Sequence, residues 1–507
     1  MKRILFIIFS LIVSAFLFAM VIRGDKGNPI AYQTEYSTQI GGPYESSNSS
    51  SRFAVTKAIV EDHTFFLNEK LAHFSAPDVV YYNSKFFSIF TPGVSIMGVP
   101  FYMLGQMVGI PQITTFLSIT LFALLNIYLV ALIAHKITKS ILLSLASGMI
   151  FGFSTNALAY ALLMTQHHMS TNIILLGLLN AISKRTFLNN LWFGVLVGIG
   201  LFIDIPNVML MAPFGLYILS QHLVREELTD KVKYSLKLTI IGLLIGMAPF
   251  IAGFVFYNRY TTGSSTKIAQ SIGQSNYFDT AEKKQRDVKD YANIKKGTFT
   301  LPFQTRLQVS GFYTLMLSNE RAWLYYSPVV LIGFVGMFIA YREKRTRLLT
   351  ILGGNFVALN ILLYAMFGDP WGGWSFGPRY LIPAAAVLCA FIGVAALTFR
   401  KSVVFLSSFT FLLAYSVGIS SIGAMSTNAI PPKVEAIALA TPIPYTYEYN
   451  LHLLSLNKSS SLLYNFFVSS FMPTSTYVIS FFTLTLVFIM GLVIVGAMRY
   501  ERKENIL

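Results

Sequence analysis

Runs of about twenty apolar residues recur from one end of the chain to the other, separated by short polar connections. A run of that length, folded as a helix, crosses a hydrocarbon core of about 30 Å. The first run, Ile4 to Ile22, follows Met1-Lys2-Arg3. No small-x-small cleavage pattern follows it, so it reads as a retained anchor rather than a cleaved signal peptide. Further spans are expected near 113–134, 141–163, 170–183, 191–204, 206–220, 236–257, 324–341, 348–367, 381–399, 402–422 and 476–497, about twelve in all. The runs at 170–183 and 206–220 are short for a crossing, so their ends are loosely set.

One further run, Thr91 to Ile110, is apolar enough to cross as well. If it did, Lys136 and Lys139 would face outward and every later basic connection would be inverted. We therefore expect Pro92 to Val108 to form a helix lying on, or dipping into, the outer face. With that choice the inner connections hold Lys136 and Lys139; Lys184 and Arg185; Arg225, Lys231 and Lys233; Arg342, Lys344, Arg345 and Arg347; Arg400 and Lys401; and Arg499, Arg502 and Lys503. All are basic, as the positive-inside rule requires.

Composition agrees with this reading. The 507 residues are 54% hydrophobic and 12% charged, against about 25% charged in an ordinary soluble protein. The fold class expected is all-α integral membrane, with about twelve transmembrane helices and outer-face helices in the first external loop. The net charge of +16 lies largely in the inner connections, where it sets orientation and does not point to nucleic acid. Cys389 is the only cysteine, which excludes an internal disulfide framework and a cysteine-based zinc site.

Three long segments are left outside: 23–112, 258–322 and 423–475. With them go the turns Thr165 to Thr171 and Asp204 to Asn207, and the loop WGGWSFGPRY, Trp371 to Tyr380. Residues capable of chemistry gather on that face, while the span interiors hold almost no ionisable group. Ion-coupled transporters and voltage sensors need charged groups at membrane depth. An enzyme working at the outer water–lipid boundary would show the distribution found here. No phosphate-binding glycine loop or nucleotide-binding domain is evident, which disfavours a nucleotide sugar as direct donor.

Four stretches, taken together, carry a resemblance. They are SRFAVTKAIVEDHTFFLNE (Ser51 to Glu69) with DVVYYNSKFFSIFTPGVSIMGVPFY (Asp78 to Tyr102); YNRYTTGS (Tyr257 to Ser264); SNERAWLYYSPVVLIGFVG (Ser318 to Gly336); and WGGWSFGPRYLIP (Trp371 to Pro383). In order and spacing the chain resembles, over residues 1 to about 400, the lipid-carrier-dependent glycosyltransferases of the C-type membrane fold. That superfamily includes protein mannosyltransferases and aminoarabinose transferases. The resemblance implies transfer of a sugar from a polyprenyl-phosphate carrier to a lipid, glycan or protein acceptor at the outer face. It divides the chain into a glycosyltransferase-like core, 1–400, and C-terminal helices, 401–507. Two positions depart from the pattern. Asn48-Ser49-Ser50-Ser51 stands where relatives carry an acidic residue before the arginine, and Ile89-Phe90-Thr91 stands where many have a lysine before the proline.

Such a reaction needs a carboxylate to take the acceptor's proton and cationic groups to hold the leaving phosphate. A divalent metal is a candidate to share the second task. Candidate bases are Asp204 and the cluster Glu61, Asp62 and His63. The plainer readings are a cap for the helix after Pro206 and the end of a surface helix. Arg52 and Arg379 are the best phosphate partners, because a guanidinium matches phosphate with two parallel donors. Tyr380 accompanies Arg379, and Arg259 and Arg321 are weaker candidates. His167 and His168 are candidates for a metal or a phosphate oxygen, one at a time, since successive side chains diverge. Asp369 is placed to orient Arg379 or to act as a second base. Gly372, Gly373 and Gly377 with Pro378 predict a stiff loop delivering Arg379 to the mouth of the next span. The competing classes are a lipid or solute transporter, whose paired broken helices are not seen as an internal repeat, and a non-catalytic relative of such enzymes. The cellular setting expected is the cell membrane, with both termini cytoplasmic and the active face external.

Overall fold

Helices follow the apolar runs. The computed structural model describes residues 2–24, 40–228, 231–275, 303–439 and 442–504. The anchor is helix α1 (Lys2–Val21). The segment that follows α1 builds α2 (Ser47–Glu61), a hairpin of β1 (Val79–Tyr82) and β2 (Lys85–Ser88), and α3 (Gly93–Val108). Then follow α4 (Pro111–Thr138), α5 (Ile141–Phe153), α6 (His167–Ala181), α7 (Phe187–Ile203) and α8 (Ala212–Ser220). The strands β3 (Leu223–Leu228) and β4 (Lys231–Leu236) pair next, and α9 (Ile241–Thr262) leads into the long middle segment. The second half holds α10 (Leu331–Arg342), α11 (Lys344–Ala365), α12 (Ile382–Thr398), α13 (Val403–Met425) and α14 (Thr474–Glu504). The protein is thus an all-α membrane protein. Among the described residues seven of these helices are long and apolar enough to cross a bilayer: α1, α4, α9, α11, α12, α13 and α14. Shorter helices fill the other expected spans, and the basic centre of the middle segment, 276–302, lies outside the described residues.

Local chemistry explains where the structure departs from the apolar runs. The run at 141–163 is a helix only to Phe153, because Ser154-Thr155-Asn156 interrupts it before the one-turn helix Ala157–Tyr160. The Thr155 hydroxyl donates to the Phe151 carbonyl at 2.7 Å, and the Asn156 amide turns away to the Ser327 hydroxyl at 3.2 Å. The run at 206–220 breaks at Met211, two residues before Pro213 removes a helical donor. The two antiparallel hairpins were not expected. In the first, Val79 pairs with Ser88 and Tyr82 with Lys85. Its two-residue turn, Asn83-Ser84, is left-handed at both positions, with φ of 50° and 59°, the twist that suits tight hairpins.

Helix α12 forms the axis. Every residue from Leu381 to Gly393 is buried, and α4, α5, α6 and α10 pack around it. Close approach depends on small residues: a Cβ at Gly336 of α10 would stand 2.0 Å from the Phe391 carbonyl oxygen. Contacts of this kind drive association where lipid supplies no hydrophobic contrast. The outer faces of α1, α9 and α13 expose Ile4, Leu5, Leu244, Phe256 and Phe411, as helices facing lipid would.

The segment holding α2 and α3 is stitched onto the bundle beside the end of α7. The Thr91 hydroxyl donates to the Ile203 carbonyl at 2.8 Å. Gly93 lies so close that a Cβ there would meet the Phe202 carbonyl oxygen at 2.4 Å. In turn Ser95 donates to the Arg52 carbonyl at 3.0 Å, and Thr56 to the Ser95 carbonyl at 2.9 Å, which fixes α2 against α3. A buried ion pair secures the other side. Arg23, just past α1, pairs with Glu45, whose carboxylate also accepts from the amides of Gly41 and Asn428 at 2.7 Å and the hydroxyl of Thr427 at 2.5 Å.

Candidate active site

Asp204 sits where α7 ends, with an extended backbone of φ −166° and ψ 129°. The cap of the next helix, Pro206–Leu210, is Ile205, whose side chain makes no capping bond, and at this helix end the Asp204 carboxylate reaches only the amide of that cap residue. The capping reading therefore does not account for the Asp204 carboxylate. It faces instead toward Gln166, the residue before α6, whose Nε2 donates to Asp204 Oδ2 at 3.3 Å. On the other side Gln166 Oε1 accepts from Nη2 of Arg52 at 2.9 Å.

Arg52 is 1% exposed. Its Nη1 donates to the backbone carbonyl and the side-chain oxygen of Asn48, and the Phe90 ring covers the guanidinium 3.8 Å from its centroid. So enclosed, Arg52 meets the site through Gln166 and through its charge. Burial pulls its pKa down to about 10, against the pull of Asp204 and Asp78, so it stays cationic at neutral pH. Burial pushes the Asp204 carboxyl up to about 6, opposed by Arg52, Gln166, the Ile205 amide and Arg379. Asp78 is raised by burial too, and is held back by donors from Ser47 at 2.8 Å and Gln274 at 2.8 Å and by Arg52 and Arg379.

Arg379 arrives on the glycine-rich loop. Gly372, Gly373 and Gly377 have φ of 76°, 61° and 64°, values that suit glycine. At Gly372 the reason is also spatial, since a Cβ would stand 2.9 Å from Nε of Arg379. The Gly372 amide donates to Asp369 Oδ1 at 3.0 Å and the Phe376 amide to the Tyr160 hydroxyl at 3.0 Å. Asp369 thus braces the loop, and burial raises its carboxyl. Arg379 then opens the turn leading into α12, half-buried, with its guanidinium 5.3 Å from the Tyr380 ring. Tyr380 is stacked on Tyr364 at 4.6 Å and 5°. Arg379 is near enough to Asp204, Arg52, Asp78 and His167 to act on each electrostatically.

The other candidates fall elsewhere or take other work. Glu61 is exposed and pairs with Lys57, while Tyr102 donates to it at 2.5 Å and Gln106 at 3.2 Å. It clips α2 to α3, nine residues and about 13 Å along the helix from Arg52. Asp62 is the exposed cap of α2, and Arg259 is exposed near the end of α9. Arg321 is fully buried and donates to the carbonyls of Trp371, Glu320, Tyr445, Gly373 and Ile430 at 3.0, 2.8, 3.5, 3.3 and 3.0 Å; it clamps the glycine loop and has no fork left for phosphate. His168 is locked by the Ala157 carbonyl, 2.8 Å from Nε2. His167 is buried within the cluster, its ring 5.2 Å from Tyr160 and 6.3 Å from Tyr380. Among the described residues no group of three His, Cys, Asp or Glu is arranged to hold a metal. Gln166 and Asp78 were not foreseen. Asp78 opens one of the stretches singled out above, and Gln166 precedes the two histidines, but neither stood out by residue type.

No family model and no curated protein matches the chain. Among solved structures it is similar to ArnT from Cupriavidus metallidurans, in the apo state and bound to undecaprenyl phosphate. The identity is 13%, the match covers 97% of this chain and 77% of that one, and the TM-score is 0.46 in both cases. It is also similar to the Archaeoglobus fulgidus oligosaccharyltransferase in complex with Zn and sulfate, with 15% identity, 87% of this chain and 57% of that one covered, and a TM-score of 0.41. At these values the likeness concerns overall shape and carries no residue roles across.

Proposed function

We propose that this chain is a membrane glycosyltransferase that moves a sugar from a polyprenyl-phosphate carrier to a lipid, glycan or protein hydroxyl at the outer face. The observation that supports the reading is the half-buried Asp204 carboxylate, held through Gln166 to Arg52 and set in the field of Arg379. The transfer needs a base and a phosphate partner, and the Asp204 carboxylate and the Arg379 guanidinium, close enough to act on each other electrostatically, are the groups that suit those tasks.

In the proposed reaction the acceptor oxygen bonds to the anomeric carbon as the bond from that carbon to the phosphate oxygen breaks. The electron pair of the broken bond leaves with the polyprenyl phosphate, and the acceptor's proton passes to Asp204. Arg379, a permanent cation with two parallel donors, holds the departing phosphate. Arg52 adds positive potential from behind, and His167, packed between Tyr160 and Tyr380, borders the same space. The test is transfer of label from radiolabelled polyprenyl-phosphate sugars in membranes containing the protein. Wild type should pass label to a lipid, glycan or protein fraction. Arg379→Ala should lose transfer with folded protein retained, and Arg379→Lys should rescue poorly because the fork is gone. Wild-type turnover in Asp204→Asn would remove the base assignment.

A further inference from the structure

We infer that Gln166 is the positioning residue for Asp204: it converts the enclosed charge of Arg52 into a single directed N–H aimed at one carboxylate oxygen. This deepens the proposed function and rests on Asp204 being its base.

The direction of the amide is dictated by its neighbour. A guanidinium has only donors, so the Gln166 atom 2.9 Å from Arg52 Nη2 must be the oxygen, Oε1. The nitrogen is then turned to Asp204 Oδ2, 3.3 Å away. An N–H requires an acceptor, and it favours the ionised carboxylate over the acid. Arg52 itself cannot swing across to Asp204, because Asn48 holds its Nη1 and Phe90 covers its face. The backbone is equally fixed: the Gln166 carbonyl accepts from the Ser170 amide at 2.8 Å as α6 begins. Gln166 therefore supplies what a direct salt bridge would not. It orients Asp204 with one bond and leaves Oδ1 outside that bond, whereas a two-pronged arginine contact would engage both oxygens.

The charged and titratable groups that act on Asp204 come from three elements. Arg52 acts from α2, Arg379 and Tyr380 from the turn before α12, and Tyr364 from α11. None of these depends on Gln166 for its own charge, so replacing Gln166 isolates the relay. Gln166→Met keeps the length of the side chain and removes both hydrogen bonds. Gln166→Glu keeps the acceptor for Arg52 and places a negative charge against Asp204.

The experiment is a pH titration of the Asp204 carboxyl by infrared difference spectroscopy on the full-length protein in lipid nanodiscs. The Asp204→Asn spectrum is subtracted to isolate the band. The protonation midpoint should rise by about one pH unit in Gln166→Met, the equivalent of one hydrogen bond to the charged form. It should rise further in Gln166→Glu, where a like charge replaces the donor. Midpoints that coincide with wild type in both variants would overturn the inference, and the second variant keeps the test open if the first does not fold. The readout does not depend on turnover. A shifted midpoint in a protein without transferase activity supports the relay and removes the enzyme reading. Active wild type with an unmoved midpoint removes the relay alone.

Discussion

Asp204→Asn should abolish turnover and, at neutral pH, make the protein more stable. Burial raises the Asp204 carboxyl from 3.8 to about 6 despite Arg52, Gln166 and Arg379 pulling the other way. One pKa unit corresponds to about 1.4 kcal/mol, so the ionised form is disfavoured in the fold by at most about 3 kcal/mol. The side chain is half-buried, and solvent screening reduces the figure to about 1–2 kcal/mol. For a pKa raised on folding, the carboxyl's contribution to stability is fully present below 3.8 and lost as pH rises through about 6. Asparagine does not ionise, and its oxygen still accepts from Gln166, so the variant keeps what the wild type loses. The gap between them should vanish near pH 4 and be complete near pH 7.

The sole cysteine, Cys389, is buried in α12, so a thiol-reactive fluorogenic dye reports thermal unfolding in detergent near neutral pH, where the thiolate is available, and tryptophan fluorescence follows the same transition down to pH 4. An Asp204→Asn protein less stable than wild type at pH 7, or a gap that does not change between pH 4 and pH 8, would refute the reasoning. The same titration sets the rate. Wild-type transfer should rise about tenfold between pH 5 and pH 7 as the base form fills.

Three other outcomes follow from particular contacts. Gly372→Ala should reproduce the loss of transfer in Arg379→Ala with near-normal yield, because its φ of 76° and a Cβ 2.9 Å from Arg379 Nε displace the guanidinium; unchanged carrier-dependent turnover would contradict this. Glu45→Gln should lower stability by about 3–5 kcal/mol by leaving Arg23 buried without its partner, and Arg23→Met combined with it should recover much of the loss in the same dye assay. In a Cys389→Ser background, Lys458→Cys should label from outside intact cells and Glu343→Cys should not, both being exposed. Ser460 is buried and is a poor probe of the same segment, and labelling at position 343 from outside would invert the topology.

The spans and their breaks were legible in different degrees. Apolar length alone marks α1, α4, α9 and α14, since lipid demands about twenty such residues. It misses the interruption at Ser154-Thr155-Asn156, where three small polar residues sit inside a run that is apolar on average. Arg379 was legible because its loop combines glycines and a proline that only a special backbone would need. Arg321 was not, for the opposite reason. An arginine between two apolar runs looks available in sequence, and only the folded chain shows five carbonyls converging on it.

The relay is the case that marks the boundary of sequence reasoning. Asp204 stood out as an isolated carboxylate at the end of a span, and Arg52 and Arg379 as forks on the same face. Gln166 carries no charge, and its partners lie 114 residues before it and 38 after it. Its importance comes from a geometric constraint that appears only when a donor-only guanidinium lies on one side and a carboxylate on the other. Asn48 bears on the same point. With Asn48 there, the arginine is bonded to a neutral neighbour on its own helix, and its charge is left to act elsewhere. A carboxylate at position 48 would pair with Arg52 directly and weaken the hold on Gln166. The neutral residue at 48 and the carboxylate at 204 are in this sense one arrangement. Asn48→Asp should therefore depress transfer by Asp204, and turnover above wild type in that variant would show that position 48 had been the natural seat of the base.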